Sequence, residues 1–130
     1  MRCILPPGHP LARRRVLRPQ DLRDAALVSY PQSFDARMQI DRTFAEHGVA
    51  RRLLIEAQLS PTIVALIAQG AGPALIDPVT AAFAQQRVAV RRFEPAIIDQ
   101  TWLACAVNQP VSRLAAAFAE RARQVLDPSL

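Results

Sequence analysis

The 130-residue chain contains no lysine: all sixteen basic residues are arginine, set against eleven acids for a net charge of +5. Aromatic side chains make up 5% of it, too few to furnish the stacking platforms that hold single-stranded nucleic acid. Glycine occurs four times and cysteine twice. No phosphate-cradling loop can be drawn through those glycines. Gly70-Ala71-Gly72 lacks a third glycine and follows a helical pattern, where a dinucleotide fingerprint would open one. Cys3 and Cys105 make no CxxC pair and have no histidine at ligand spacing. A disulfide would require the fold to bring them together, and two buried thiols of a reduced, cytosolic protein are the plainer expectation. No apolar run approaches the roughly 20 residues of a membrane span, and Met1-Arg2-Cys3 does not begin a secretory h-region.

The marks of catalysis are missing as well. There is no Gly-x-Ser-x-Gly elbow and no HExxH pair. His9 lies in a Pro-rich turn, and His47 lies at a predicted helix end, where the helix dipole alone accounts for it. With no nucleophile beside a base and no metal-ligand cluster, the chain is expected not to be an enzyme: no catalytic residue, no metal and no cofactor.

What the chain does have is 51% hydrophobic residues. One domain of this length buries about two-thirds of its unfolded surface, enough for a single core. The arginines cluster at Arg13-Arg14-Arg15, with pairs at Arg51-Arg52 and Arg91-Arg92. Together with the abundant alanine they read first as coding bias and as a solvated surface. An Arg-rich nucleic-acid-binding protein is the alternative, and it would bind DNA with a steep salt dependence.

Periodicity and punctuation divide the chain into alternating elements. Arg2 to Leu5 is a strand halted by Pro6-Pro7-Gly8. A loop runs through His9 to Ala12 and the arginines. Pro19-Gln20-Asp21-Leu22 makes one helical turn, and Ala25 to Tyr30 makes a second strand. Asp35 is expected to cap a helix running to His47, with Gly48 at its end; Met38, Ile40, Phe44 and Ala45 form its apolar side, and Arg37, Asp41, Arg42 and Glu46 its polar one. Leu53 to Ile55 is a third strand. Ser60-Pro61-Thr62 opens a helix that is apolar on nearly all sides and ends at Gly70, with Ser60 as its capping hydroxyl. Ala74 to Ile76 is a fourth strand, and Asp77-Pro78 starts a short helix through Phe83. Val88 to Phe93 and Thr101 to Val107 are two more strands. Ser112 caps a last helix with Leu114, Phe118, Val125 and Leu126 on one face. Strands and helices alternating over short connections predict an α/β domain with a largely parallel sheet.

These segments also resemble a known family. Leu5-Pro6-Pro7-Gly8-His9-Pro10-Leu11-Ala12 followed by Pro19-Gln20-Asp21-Leu22 is similar to the entry into the second half of the effector-binding domain of LysR-type transcriptional regulators. Ser60 to Ile76 resembles that family's signature of helix, Gly-x-Gly turn and strand, and Thr101 to Val107 fits the return. The resemblance implies two α/β subdomains joined by crossing strands, as in type 2 periplasmic binding proteins. Residues 6–98 would form subdomain two, and residues 1–5 and 99–130 would form crossing strands and the terminal part of an incomplete subdomain one. It implies a truncated, effector-sensing fragment in the cytoplasm that reaches DNA only through a domain outside this chain. A homodimer or higher oligomer is implied too, assembled through the Asp35–His47 helix. A solute-binding-type module is a further alternative, though such a module would carry an export signal.

In open α/β sheets ligands bind beyond the carboxyl ends of the strands. Those ends place Ser29 and Tyr30, with Gln32 and Ser33, after the second strand, Gln58 to Thr62 with its Ser60-Pro61-Thr62 turn after the third, and Asp77 after the fourth. A helix amino terminus with unpaired N–H groups suits a carboxylate. Ser60 and Thr62 are therefore candidates to hold a small carboxylate effector, as the resemblance also implies, while capping alone is the plainer role for Ser60. Asp77 would pair with the ammonium of an amino-acid-like effector or cap the helix starting at Pro78.

Overall fold

The computed structural model describes residues 1–98, 100 and 102–125. They fall into two units, Met1–Asp99 and Gln100–Leu130. Cys3, Ile4 and Leu5 are apolar in succession, and such a run is satisfied only where both faces of a strand are covered. Accordingly β1 (Arg2–Leu5) lies inside a six-stranded sheet of order β2-β6-β1-β5-β3-β4. The other strands are β2 (Val16–Leu17), β3 (Ala26–Ser29), β4 (Arg52–Glu56), β5 (Ala74–Ile76) and β6 (Ala89–Phe93). β1 runs against both neighbours, pairing Arg2 with Ile76 on one side and with Arg92 on the other. The pairs β2–β6, β3–β4 and β3–β5 are parallel. β2 to β6 therefore share one direction, and their carboxyl ends lie along one edge of the sheet.

The helices are α1 (Asp35–Glu46), α2 (Ser60–Ala68), α3 (Pro78–Ala84) and, in the second unit, α4 (Arg113–Val125). Ile63, Val64 and Ile67 of α2 join Ile4, Leu5, Val28 and Ile76 in one core, and Phe44 of α1 stacks on Phe93 with centroids 5.9 Å apart. Gly70 and Gly72 give the turn after α2 its form. Gly70 has φ +91° and ends the helix, and Gly72 has φ +118°. A Cβ on Gly72 would lie 2.2 Å from the carbonyl oxygen of Ala26, so the chain passes β3 at a distance only glycine allows.

Several expectations are corrected. Pro10–Arg13 forms a 3₁₀ turn where a loop is expected, because His9 Nδ1 accepts the Leu11 N–H at 3.2 Å and satisfies its first donor. Asp35 and Ser60 are each the first helical residue and not the cap. Phe34 and Leu59 hold the cap positions without side-chain bonds. Residues 102–107 form no strand, since no strand among the described residues pairs with them; Thr101 lies outside the described residues. In the second unit Ser112 does cap α4, accepting the Ala115 N–H at 3.1 Å. The Leu114, Phe118 and Val125 face of α4 is exposed, and Leu126 lies outside the described residues. Cys3 is buried in β1 as expected, whereas Cys105 is exposed, because the segment around it contributes nothing to a core.

Candidate functional site

Alternation along a strand sends consecutive side chains to opposite faces, and the end of β3 shows its effect. Ser29 turns toward the α1 side, where its Oγ accepts from Arg51 Nη2 at 2.8 Å. Tyr30, the next residue, turns toward α2 and places its hydroxyl 2.8 Å from Ser60 Oγ. Ser60 thus has its side-chain partner outside its own helix. It sits at the head of α2, paired with a phenol from the neighbouring strand end. Pro61 and Thr62 complete that first turn and are exposed. The N–H groups of Ser60 and Thr62 precede the helical ladder and have no carbonyl four residues back within it. Two hydroxyls, two free-standing N–H groups and the positive end of a helix dipole thus converge at the carboxyl edge of the sheet.

Gln32 and Ser33 occupy the exposed turn between β3 and α1, closed by Phe34 N–H donating to Pro31 O at 3.1 Å. The Tyr30 and Phe34 rings stack across that turn, 6.0 Å between centroids. Asp77 lies at the end of β5, but its Oδ1 accepts the Thr80 N–H at 2.7 Å and caps α3. The structure thus brings Ser60, Pro61 and Thr62 together with Tyr30, leaves Gln32 and Ser33 on the adjoining turn, and engages Ser29 and Asp77 in packing and capping.

Beneath the site lies a charge network. Arg37 of α1 is buried and donates from Nη1 to the Tyr30 carbonyl at 2.8 Å and to Glu56 Oε1 at 2.6 Å, and from Nε to Asp41 Oδ2 at 2.7 Å. Arg51 pairs with Asp41 at 3.2 Å and lies over the Phe44 ring, 5.4 Å from its centroid. Burial pushes the Arg51 guanidinium down to about 10, against the pull of Asp41. Sequence reasoning places Arg37 on the polar face of α1, names Tyr30 only as part of the strand end facing a ligand, and passes over Glu56. The spacing of Arg37 and Asp41 on one helix was a usable signal, but nothing local points to Glu56. Among the described residues no three His, Cys, Asp or Glu side chains are placed to hold a metal ion, and no helix is long and apolar enough to cross a membrane.

Comparison with known proteins places this arrangement in a family. The model of the LysR substrate binding domain matches residues 1–127. The transcriptional activator protein LysR of Escherichia coli strain K12 is 35% identical over 117 residues, which cover 89% of this chain and 38% of that protein. The chain therefore spans well under half the length of that curated relative. Two solved structures share the fold. The effector binding domain of QuiR in complex with shikimate has a TM-score of 0.70 at 22% identity, covering 95% of this chain and 59% of that one. The regulatory domain of Synechocystis PCC6803 CcmR in complex with 2-PG has a TM-score of 0.72 at 21% identity, covering 97% and 62%. The order of strands, the helix and Gly-x-Gly turn after Ser60, and these matches agree: the chain belongs to the LysR substrate-binding domain family, with the type 2 periplasmic-binding-protein fold of that family's effector domains.

Proposed function

We propose that this chain is the effector-sensing part of a LysR-type transcriptional regulator working in the cytoplasm, and that the head of α2 holds the carboxylate of a small effector. The observation that carries the reading is the Ser60 hydroxyl, which stands at the first position of α2 and pairs with Tyr30 Oη at 2.8 Å, outside its own helix. A carboxylate arriving there meets N–H donors of Ser60 and Thr62 and a hydroxyl pair that can turn its protons outward. QuiR and CcmR, two of the structural neighbours, are captured with shikimate and 2-PG, which supports a small-molecule effector for this fold. Gln32 and Ser33 then bound the site from the β3–α1 turn. Ser29 holds Arg51 and Asp77 holds α3, so both support the site without touching the effector, and the reading names a carboxylate where an amino-acid-like ligand would have called on Asp77. We further propose that residues 6–98 are the second of two subdomains, that residues 99–130 return toward the first, and that α1 serves homo-oligomer assembly. Recognition of DNA belongs to the whole regulator.

The test is a thermal-shift screen of paired metabolites that differ only in having a carboxylate or its methyl ester, shikimate among them, followed by calorimetry on the hits. Stabilisation confined to the acids, and weakened about tenfold or more in Ser60→Ala and Thr62→Ala, is the expected result. Hits shared equally by acids and esters, or unmoved by both substitutions, would overturn the proposal.

A further inference from the structure

The buried guanidinium beneath the site does more than fill α1. We infer that Arg37 is the positioning residue of this site: a single side chain that holds both strand ends flanking α2 and so fixes where Ser60 stands. Its functional meaning rests on the reading of α2 as an effector site, and its geometry does not.

β3 ends at Ser29 and β4 at Glu56, so Tyr30 and Glu56 are where the chain leaves the sheet on either side of the site. Arg37 Nη1 serves both, the carbonyl of Tyr30 at 2.8 Å and the carboxylate of Glu56 at 2.6 Å. From Tyr30 the phenol reaches across to Ser60 Oγ at 2.8 Å. From Glu56 the backbone runs through Ala57, Gln58 and Leu59 to the same Ser60. The result is a closed circuit: Arg37, Tyr30, Ser60, the short turn, Glu56 and Arg37 again. Inside the circuit Ala57 N–H donates to Ser29 O at 3.0 Å, while Gln58 and Leu59 are exposed. The turn that carries the head of α2 is thus staked at both ends: the β3–β4 ladder and the Ala57–Ser29 bond hold its backbone, and Arg37 joins the side-chain stakes at Tyr30 and Glu56.

The residue type fits the task. A guanidinium presents five donors in a planar fork and keeps its charge, so it can serve a carbonyl and two carboxylates, Glu56 and Asp41, at once. A lysine ammonium is a point charge on a flexible stem and cannot meet three acceptors in that spread. An apolar replacement of Arg37, whose side chain is only 9% exposed, takes the guanidinium away from the Tyr30 carbonyl and from the half-exposed Glu56 carboxylate. The arrangement also ties the effector turn to α1, so that a shift of Ser60 on binding is felt at Arg37 and at the Asp41–Arg51 pair beside it.

The experiment uses the fact that Tyr30 is the only tyrosine in the chain. Biosynthetic 3-fluorotyrosine gives one fluorine resonance that reports the phenol's surroundings, and hydrogen exchange by mass spectrometry reports the turn, both on the full chain and without any ligand. Ser60→Ala calibrates the fluorine shift caused by losing the hydroxyl pair. Arg37→Met is expected to shift the resonance in the same direction. It should also speed exchange of the amides at residues 57–63 by about tenfold or more while β1 and β5 keep their protection. Arg37→Lys should fall between, and Arg42→Met, at the exposed Arg42–Glu46 pair of the same helix, should change neither signal. Glu56→Gln removes one stake and leaves α1 intact, so it is informative if Arg37→Met fails to fold; it should speed exchange at residues 57–59 alone. A fluorine resonance unmoved by Arg37→Met, an unchanged turn in Glu56→Gln, or acceleration spread equally over β1 and β5 would each overturn the inference. Because no ligand takes part, this outcome is independent of the screen that tests the carboxylate reading.

Discussion

In the first unit Ile63 and Ile67 of α2 are fully buried; in the second, Leu114 and Phe118 of α4 are 82% and 62% exposed. The two helices invite the opposite expectation. α2 is apolar on nearly every side and has no distinct polar face, while α4 separates Leu114, Phe118 and Val125 from Arg113, Glu120, Arg121 and Gln124 as a surface helix should. Amphipathicity states only that one face can be covered. Covering requires a second surface, and α2 has one in the face of the sheet that carries Ile4, Val28 and Ile76. None of the described residues of α4 is buried, so its apolar face contributes little to the stability of the unit it stands in. The two regions therefore differ in what each apolar side chain does for the fold, and substitutions can measure that difference.

The largest effect should come from the turn that seats α2 against the sheet. Gly72→Ala would put a methyl carbon 2.2 Å from the Ala26 carbonyl oxygen, against backbone that cannot rotate away, at φ +118°. A cost above about 4 kcal/mol is expected, enough to abolish cooperative unfolding in a domain of ordinary stability. Chemical denaturation followed by circular dichroism measures it, and a variant that unfolds like the parent would show that β3 can move. Next comes a matched pair across the two units. Ile67→Ala should cost about 2–5 kcal/mol, whereas Leu114→Ala should stay within about 0.5 kcal/mol. If the two cost the same, α4 has found a covering surface in solution, and the contrast drawn above fails.

The effect that vanishes at neutral pH and grows only in alkali concerns the two thiols. Burial, with Asp21 adding to it, pushes the Cys3 thiol up from 9.0 to about 12. The folded protein thus keeps a proton that the unfolded chain releases above pH 9.0. Stability from this group is complete below that pH and falls as pH rises toward 12, at up to about 1.4 kcal/mol per pH unit. Cys3→Ala should flatten that slope between pH 9 and pH 11 (roughly the window the shift defines) in denaturation series. A thiol reagent at neutral pH should modify one cysteine at once, the exposed Cys105, and reach Cys3 only as the chain unfolds. Rapid modification of both would show that β1 is reached from solvent.

Much of the first unit was legible because its elements are punctuated. Pro6-Pro7-Gly8 stops β1, Gly48 follows α1 with φ +64°, and Asp77 caps α3 with the Thr80 amide three residues on. The family resemblance rested on the same punctuation. Ser60 was legible as a helix opening but not as a hydroxyl partner. Cap and first helical position differ by one residue, and the difference is decided by Tyr30 on another strand. Arg37 was misplaced for a related reason: its partners Tyr30 and Glu56 are remote in sequence, and a helical wheel knows only its own helix. The two-residue β2 is too short to show any alternation. Residues 102–107 look strand-like in composition, yet composition supplies no ladder, and hydrogen-bonded neighbours are what make a strand.

The place of β1 has a consequence for the order in which the molecule is made. Its two neighbours, β5 and β6, are among the last parts of the sheet to be synthesised, and both run against it, so β1 cannot be satisfied by a local hairpin. β1 is made before either partner, so Cys3, Ile4 and Leu5 stay unpaired until residues as far as Phe93 have followed. Closing a connection of that length comes late and slowly. Until then the segment that ends up most deeply buried is the one most open to pairing with another chain. Within this sheet the strand made first is therefore the one completed last, a keystone that waits for both of its neighbours.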